Sequence, residues 1–181
     1  MIKHTINSTK STGASGFTLI EVLVALVVLS VGLLGMAKMV MVSAHSNDSA
    51  YLRSQATALA YAILDNMRAN RDQAILHAYD TPLGVMPADP GPCFAAPCAA
   101  ATLAQFDVFR WKQRLDSAVT VAGVPIGALP SGTGSVVVLD TIPKSAIVTV
   151  QWDDSAAQSA LKAVAANNIP TPMSVVLETV L

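Results

Sequence analysis

The sequence predicts an α+β protein: one long N-terminal helix, apolar in its first half and amphipathic in its second, followed by a smaller head that contains strands. Three observations carry this. Within residues 17–37 the only charged side chain is Glu21. Leu52, Ala56, Leu59, Ile63 and Met67 recur at three- and four-residue steps, which is one face of a helix. Towards the C-terminus, runs rich in Val, Ile and Thr alternate with the period of half-buried strands.

Composition frames these elements. The chain has 181 residues, 52% hydrophobic and only 13% charged. Both values are unusual for a soluble domain of average make-up. The apolar run and many later alanines account for the excess. What remains outside a membrane segment is a normal length for one domain with one core. The formal net charge is −1 and no basic cluster occurs, which argues against a nucleic-acid surface as the main function.

Residues 1–16 read as a leader. They hold Lys3 and Lys10, no acid, many Ser, Thr and Gly, and no helical period. The following run, at 1.5 Å of rise per residue, spans ~30 Å, the thickness of a hydrocarbon core. The lysines before it favour a cytoplasmic N-terminus and export of the rest. A cleaved secretory signal is the alternative, and Val42-Ser43-Ala44 resembles its small-residue cleavage site. However, a signal's apolar core is usually ~7–15 residues long. Such a signal also leaves Glu21 unexplained. An acidic residue at the centre of a spanning helix costs ~2.5–3.5 kcal/mol, and less towards its end. Intramembrane ionisable groups usually have a partner or a task.

The helix is expected to continue beyond the membrane to the turn at Tyr79-Asp80-Thr81-Pro82. Ser46, Asn47 and Asp48 mark either a bend or a new N-cap on the way. Ala60 and Leu64 widen the apolar stripe, while Arg53, Gln55, Asp65, Asn66 and Arg68 fall largely off it. Gly32 and Gly35 weaken the membrane half. Local melting and close packing against another helix explain them equally well.

Gly16-Phe17-Thr18-Leu19-Ile20-Glu21, after a basic leader and before a spanning apolar run, resembles the processing site of type IV prepilins and of the related type II secretion pseudopilins. The resemblance implies cleavage by a prepilin peptidase between Gly16 and Phe17, with N-methylation of Phe17. Glu21 then becomes the fifth residue of the mature chain. Cleavage creates an α-amine with a reference pKa of ~8, one helical turn from Glu21. By resemblance, the carboxylate of one subunit pairs with the amine of a neighbour, so that both charges are neutralised as subunits leave the membrane. The stretch that ends in Asn66-Met67-Arg68-Ala69-Asn70-Arg71 is similar to the PilV type of minor pilin. That family implies an antiparallel sheet packed on the amphipathic half of the helix. It also implies a domain plan: a leader over 1–16, a transmembrane and assembly helix over 17–41, an amphipathic helix over 42–79 and a globular head over 80–181. The implied location is the inner membrane, single-pass with a periplasmic head, and then the pilus at the cell surface. The implied partners are other minor pilins, the major pilin, the prepilin peptidase, the inner-membrane assembly platform and membrane lipid. No cofactor is implied.

In the head, residues 80–100 are rich in Pro, Gly and Ala and read as a loop. Cys93 and Cys98 lie within it. Export would place them in an oxidising compartment, where a nearby pair favours a disulfide. Two free thiols remain the main alternative, and a metal site needs more ligands than lie nearby. His4, His45 and His77 are scattered and read as ordinary surface residues. A helix is expected over 101–117, with Val108, Trp111, Leu115 and Val119 at helical steps and Trp111 in the core. The turn-rich Leu129-Pro130-Ser131-Gly132-Thr133-Gly134 lacks the Gly-Lys-Ser/Thr of a phosphate loop and reads as a β-turn. Strands follow over 135–139, 146–152 and 173–181. In the second of these, Val148, Val150 and Trp152 should face the core. Residues 153–168 read either as a short helix capped by Asp154 or Ser155 or as an insertion. Asp153 and Asp154 alone do not make a calcium cage.

Neither an activated nucleophile nor a paired-carboxylate or metal constellation is visible, so an enzyme is not expected. Two function classes remain. One is a structural subunit: a minor pilin that primes or caps a type IV pilus, or its variant, a minor pseudopilin of type II secretion. The other is a periplasmic binding domain on a simple signal anchor, which needs neither Gly16-Phe17 nor Glu21.

Overall fold

Ser46, Asn47 and Asp48 do not interrupt the helix. In the computed structural model, which describes residues 16–93, 97–155 and 172–181, α1 runs unbroken over Leu19–Ala69. Ser, Asn and Asp cost only up to ~0.7 kcal/mol each in a helix interior, and tertiary contact offsets that here. The Ser49 hydroxyl, one position on, donates to Asp154 Oδ2 at 2.7 Å.

The chain forms two compact units, Met1–Val40 and Met41–Leu181. In the first, every described residue is exposed. An 18-residue window of α1 has a mean hydropathy of 2.6, long and apolar enough to cross a membrane. The expected leader up to residue 15 and most of the segment 153–168 lie outside the described residues.

The second unit holds the core. The α1 stripe buries Ala56, Ala60, Ile63, Leu64 and Met67, with Leu52 and Leu59 packed at its margin. Arg53, Asp65 and Arg68 stay exposed. Each large apolar side chain buried in this way contributes ~1.5–3 kcal/mol. α1 stops at Ala69, earlier than the expected turn at Tyr79, and a short α2 follows over Arg71–Ile75. A Schellman turn ends α2. The His77 N–H donates to the Ala74 carbonyl at 3.1 Å and the Ala78 N–H to the Gln73 carbonyl at 3.0 Å. His77 has φ of 64°, a conformation usually taken by Gly or Asn.

α3 spans Ala100–Leu115 and buries Val108, Trp111 and Leu115. Val119 lies past its end. Trp111 Nε1 donates to the Leu59 carbonyl at 2.9 Å, which fixes α3 on α1. The sheet is antiparallel in the order β3 (Thr133–Leu139), β4 (Ser145–Trp152), β5 (Met173–Val180). Its register pairs Val136 with Val148 and Val148 with Leu177. Val148, Val150 and Trp152 face the core as the alternation predicted, joined by Val136 and Val138. Thr81 bridges to Val136 on the outer edge of β3. At Gly134 a Cβ would lie 2.5 Å from Trp111 Cη2, so glycine lets the indole pack on β3. A small hairpin, β1 (Thr120–Val121) with β2 (Val124–Pro125), was not expected. Ala122 and Gly123 turn it with φ of 51° and 80°, the two positive values a type I′ turn requires. The molecule is thus α+β, a long N-terminal helix packed on a small three-stranded antiparallel sheet.

Candidate processing and assembly site

Residues 16–18 precede the first turn of α1 and are not helical. Thr18 caps that turn. Its carbonyl accepts the N–H groups of Glu21 (3.1 Å) and Val22 (3.3 Å), and its Oγ1 accepts the Glu21 N–H at 3.3 Å. Thr18 and Glu21 therefore stand at the N-cap and N3 positions of a Thr-x-x-Glu capping pattern. The sequence marks Glu21 by its charge, whereas the role of Thr18 as its cap emerges only from the structure, although the spacing carries that signal. A carboxylate in the first turn also faces the positive end of the helix dipole. Glu21 is exposed, and the ion pairs found among the described residues all lie beyond Met41.

The Gly16–Phe17 bond lies in the non-helical segment, and Phe17 is 81% exposed. A Cβ placed at Gly16 would meet nothing within 4 Å, and the same holds at Gly32 and Gly35. Folding of the chain itself does not demand glycine at these positions. A demand at Gly16 must come from a molecule that engages the segment, and one at Gly32 and Gly35 from lipid or from another helix. Along residues 17–41 the large apolar side chains are all exposed, Leu19 at 83% and Met39 at 76% among them. What this segment offers chemically is a carboxylate fixed on the first turn of an apolar rod, next to a peptide bond free of secondary structure.

Cys93 and Cys98 form a disulfide, with Cα atoms 5.4 Å apart. This decides between the bridge and free thiols. The bridge sits just ahead of α3, whose N-cap is Ala99. Asn70 Nδ2 donates to the Ala100 carbonyl at 2.8 Å, so the start of α3 is tied to the end of α1.

Three polar clusters in the head have no counterpart among the sequence-based expectations. Lys112 is buried on α3, and its ammonium donates to the carbonyls of Pro82 (2.5 Å) and Val85 (2.8 Å). Burial pulls its pKa down to about 8. The Tyr79 hydroxyl donates to Asp107 Oδ2 at 2.9 Å, with the Asn66 carbonyl at 3.3 Å. Burial raises both of these groups above their ordinary values, and the Tyr79 bond partly offsets the rise at Asp107. His77 is not an isolated surface residue: its Nδ1 lies 2.8 Å from Asp80 Oδ2 and its Nε2 3.2 Å from Asp140 Oδ1. These neighbours raise its pKa.

Residues 12–37 match the family model of the prokaryotic N-terminal methylation motif. The match contains Gly16, Phe17, Glu21 and the apolar run. No curated protein and no solved structure gives a significant match to the chain. The chain carries a prepilin-type N-terminal signal, that of a type IV pilin-like or pseudopilin-like precursor.

Proposed function

We propose that the chain is the precursor of a minor pilin of the PilV type, a structural subunit and not an enzyme. In this reading prepilin peptidase cuts between Gly16 and Phe17, and the new terminus is N-methylated. Residues 17–41 hold the subunit in the inner membrane with the head in the periplasm. The assembly platform then moves it, with other minor pilins and the major pilin, into a type IV pilus that it helps to prime or cap.

The observation that supports this most is the coincidence of the methylation motif at 12–37 with an apolar segment, residues 17–41, whose side chains are all exposed. Such a surface has to be covered by lipid or by other helices. Glu21 is the only charge along it as far as Lys38. An amine released at Phe17 lies within one turn of that carboxylate. Pairing between subunits removes the penalty that either charge carries alone in an apolar bundle.

Intact mass spectrometry of the protein from membranes and from sheared filaments tests the reading. The expected species begins with N-methyl-Phe17 and contains one disulfide. An unprocessed chain, or one that begins at His45 after a secretory cleavage, would refute it.

A further inference from the structure

We infer that His77, held between Asp80 and Asp140, is a pH-sensitive clasp that ties the turn after α2 to the β3–β4 connection, closed while the imidazole is protonated and opened when it loses that proton. The ring sits at the C′ position of the Schellman turn, and each of its nitrogens faces a different carboxylate, at 2.8 Å and 3.2 Å. A carboxylate is an acceptor only, and a neutral imidazole has one donor and one acceptor nitrogen. Only the imidazolium can donate to both acids. The neutral ring must turn a lone pair towards one of them.

The bond that opens is the one to Asp140. It is the longer of the two, and Asp140 Oδ1 has a second cation, Lys144 Nζ at 2.7 Å. Lys144 also donates to the Ile75 carbonyl at 3.1 Å. The charged groups that face His77 are therefore Asp80 on its own turn and Asp140 with Lys144 on the β3–β4 connection. Asp80 stays bonded to Nδ1–H, but its other oxygen, Oδ1, accepts the Val138 N–H of β3 at 3.0 Å. The adjoining Thr81 exchanges hydrogen bonds with Val136, both at 3.0 Å. The clasp thus governs how firmly residues 80–81 cover the outer edge of β3. An uncovered edge is a template for strand pairing with another chain.

The pH window follows from the two shifts. His77 is raised above 6.5, first by the bond to Asp80 and then by that to Asp140. A raised folded pKa contributes stability that is fully present below 6.5 and is lost as pH rises through the raised value. Asp140 is lowered below 3.8, first by Lys144 and then by His77. Its contribution is present above 3.8 and is lost as pH falls through the lowered value. The clasp is closed between these limits.

The test uses the full chain in detergent micelles. Proton NMR follows His77, identified by the resonance that disappears in His77→Asn. Asn tolerates the left-handed backbone at this position, so His77→Asn removes the ring without straining the turn. The wild-type His77 should titrate above 6.5, and Asp140→Asn should shift it downward. Amide exchange of Val138, corrected for base catalysis, should accelerate several-fold in the wild type as His77 deprotonates. In His77→Asn it should be fast at every pH. A His77 that titrates at or below 6.5 overturns the proposal. So does a Val138 exchange rate that ignores both pH and His77→Asn. Should His77→Asn fail to fold, Asp140→Asn decides the same question: Val138 protection that keeps its full pH dependence in that variant also overturns the clasp.

Discussion

Lys112 offers a quantitative check on the head. It is a buried ammonium with two carbonyl acceptors and, among the described residues, no ion-pair partner. Its pKa falls from 10.5 to about 8 because burial penalises the charged form. The unfolded chain holds this proton up to 10.5, while the folded chain releases it near 8. Between those limits the unfolded state binds more protons, so stability rises with pH. One pKa unit corresponds to ~1.4 kcal/mol. Integrated over the two titrations, folding gains about 2 kcal/mol from this group between about pH 7 and pH 9.5. Lys112→Met removes the titration, keeps most of the side-chain volume and leaves two carbonyls without a donor. Its stability relative to the wild type should therefore worsen by that ~2 kcal/mol as pH rises over the same interval. Contributions from His77 and Tyr79 are common to both proteins and cancel in the difference. Guanidinium denaturation of the full chain in mild detergent, followed by the fluorescence of the core residues Trp111 and Trp152, measures it. A wild-type-minus-variant difference that stays flat, or shrinks, with pH would show that the ammonium is not held in the buried setting described.

Glu21→Leu removes a desolvation cost, so membrane insertion and Gly16–Phe17 cleavage should persist while recovery in sheared pili falls at least about tenfold; equal incorporation of variant and parent would refute the assembly role. A mild defect with crosslinks only to other minor pilins would place the subunit at the filament tip. Cys93 and Cys98 should resist alkylation in unreduced native protein, and replacing both by Ser should lower head stability by about 2 kcal/mol in the chain-entropy picture; rapid labelling of both would refute the bridge. Gly134→Val should destabilise the head by roughly 1–3 kcal/mol by driving β3 off the Trp111 indole; an unchanged denaturation midpoint would mean that the contact relaxes freely.

The parts of the fold that were legible in the sequence are those with a sustained period. The α1 stripe through Ala56, Ile63 and Met67 and the alternation at Val148, Val150 and Trp152 each repeat a burial geometry often enough to identify it. The methylation-motif segment at 12–37 was legible for another reason: it is a short linear pattern, Gly16-Phe17 and Glu21 at the head of an apolar run, so no packing context was needed to notice it. What stayed hidden depended on single residues in unusual roles. His77 occupies the C′ position that normally announces itself as Gly or Asn, which concealed the end of the helical segment. Ala122 takes a positive φ in the hairpin where Asn or Asp is the usual signal. Lys112 follows Trp111 on a helix, and nothing in the local pattern says that its ammonium turns inward to the carbonyls of a distant loop. Ser46-Asn47-Asp48 carried a real cap signal that tertiary contact outweighed, Ser49 being anchored to a residue far along the chain.

The hydrogen bond from Ser49 to Asp154 has a practical consequence for anyone trimming the chain. The head does not begin where the amphipathic helix ends. It includes that helix from Ser49 onward, because Ala56, Ala60, Ile63, Leu64 and Met67 line its interior. A fragment that starts at Met41 keeps the anchor and the whole stripe while shedding most of the lipid-like surface, so it should stay soluble and retain its fold. A fragment that starts after Met67 exposes the sheet and α3 on the side those residues cover, and should aggregate.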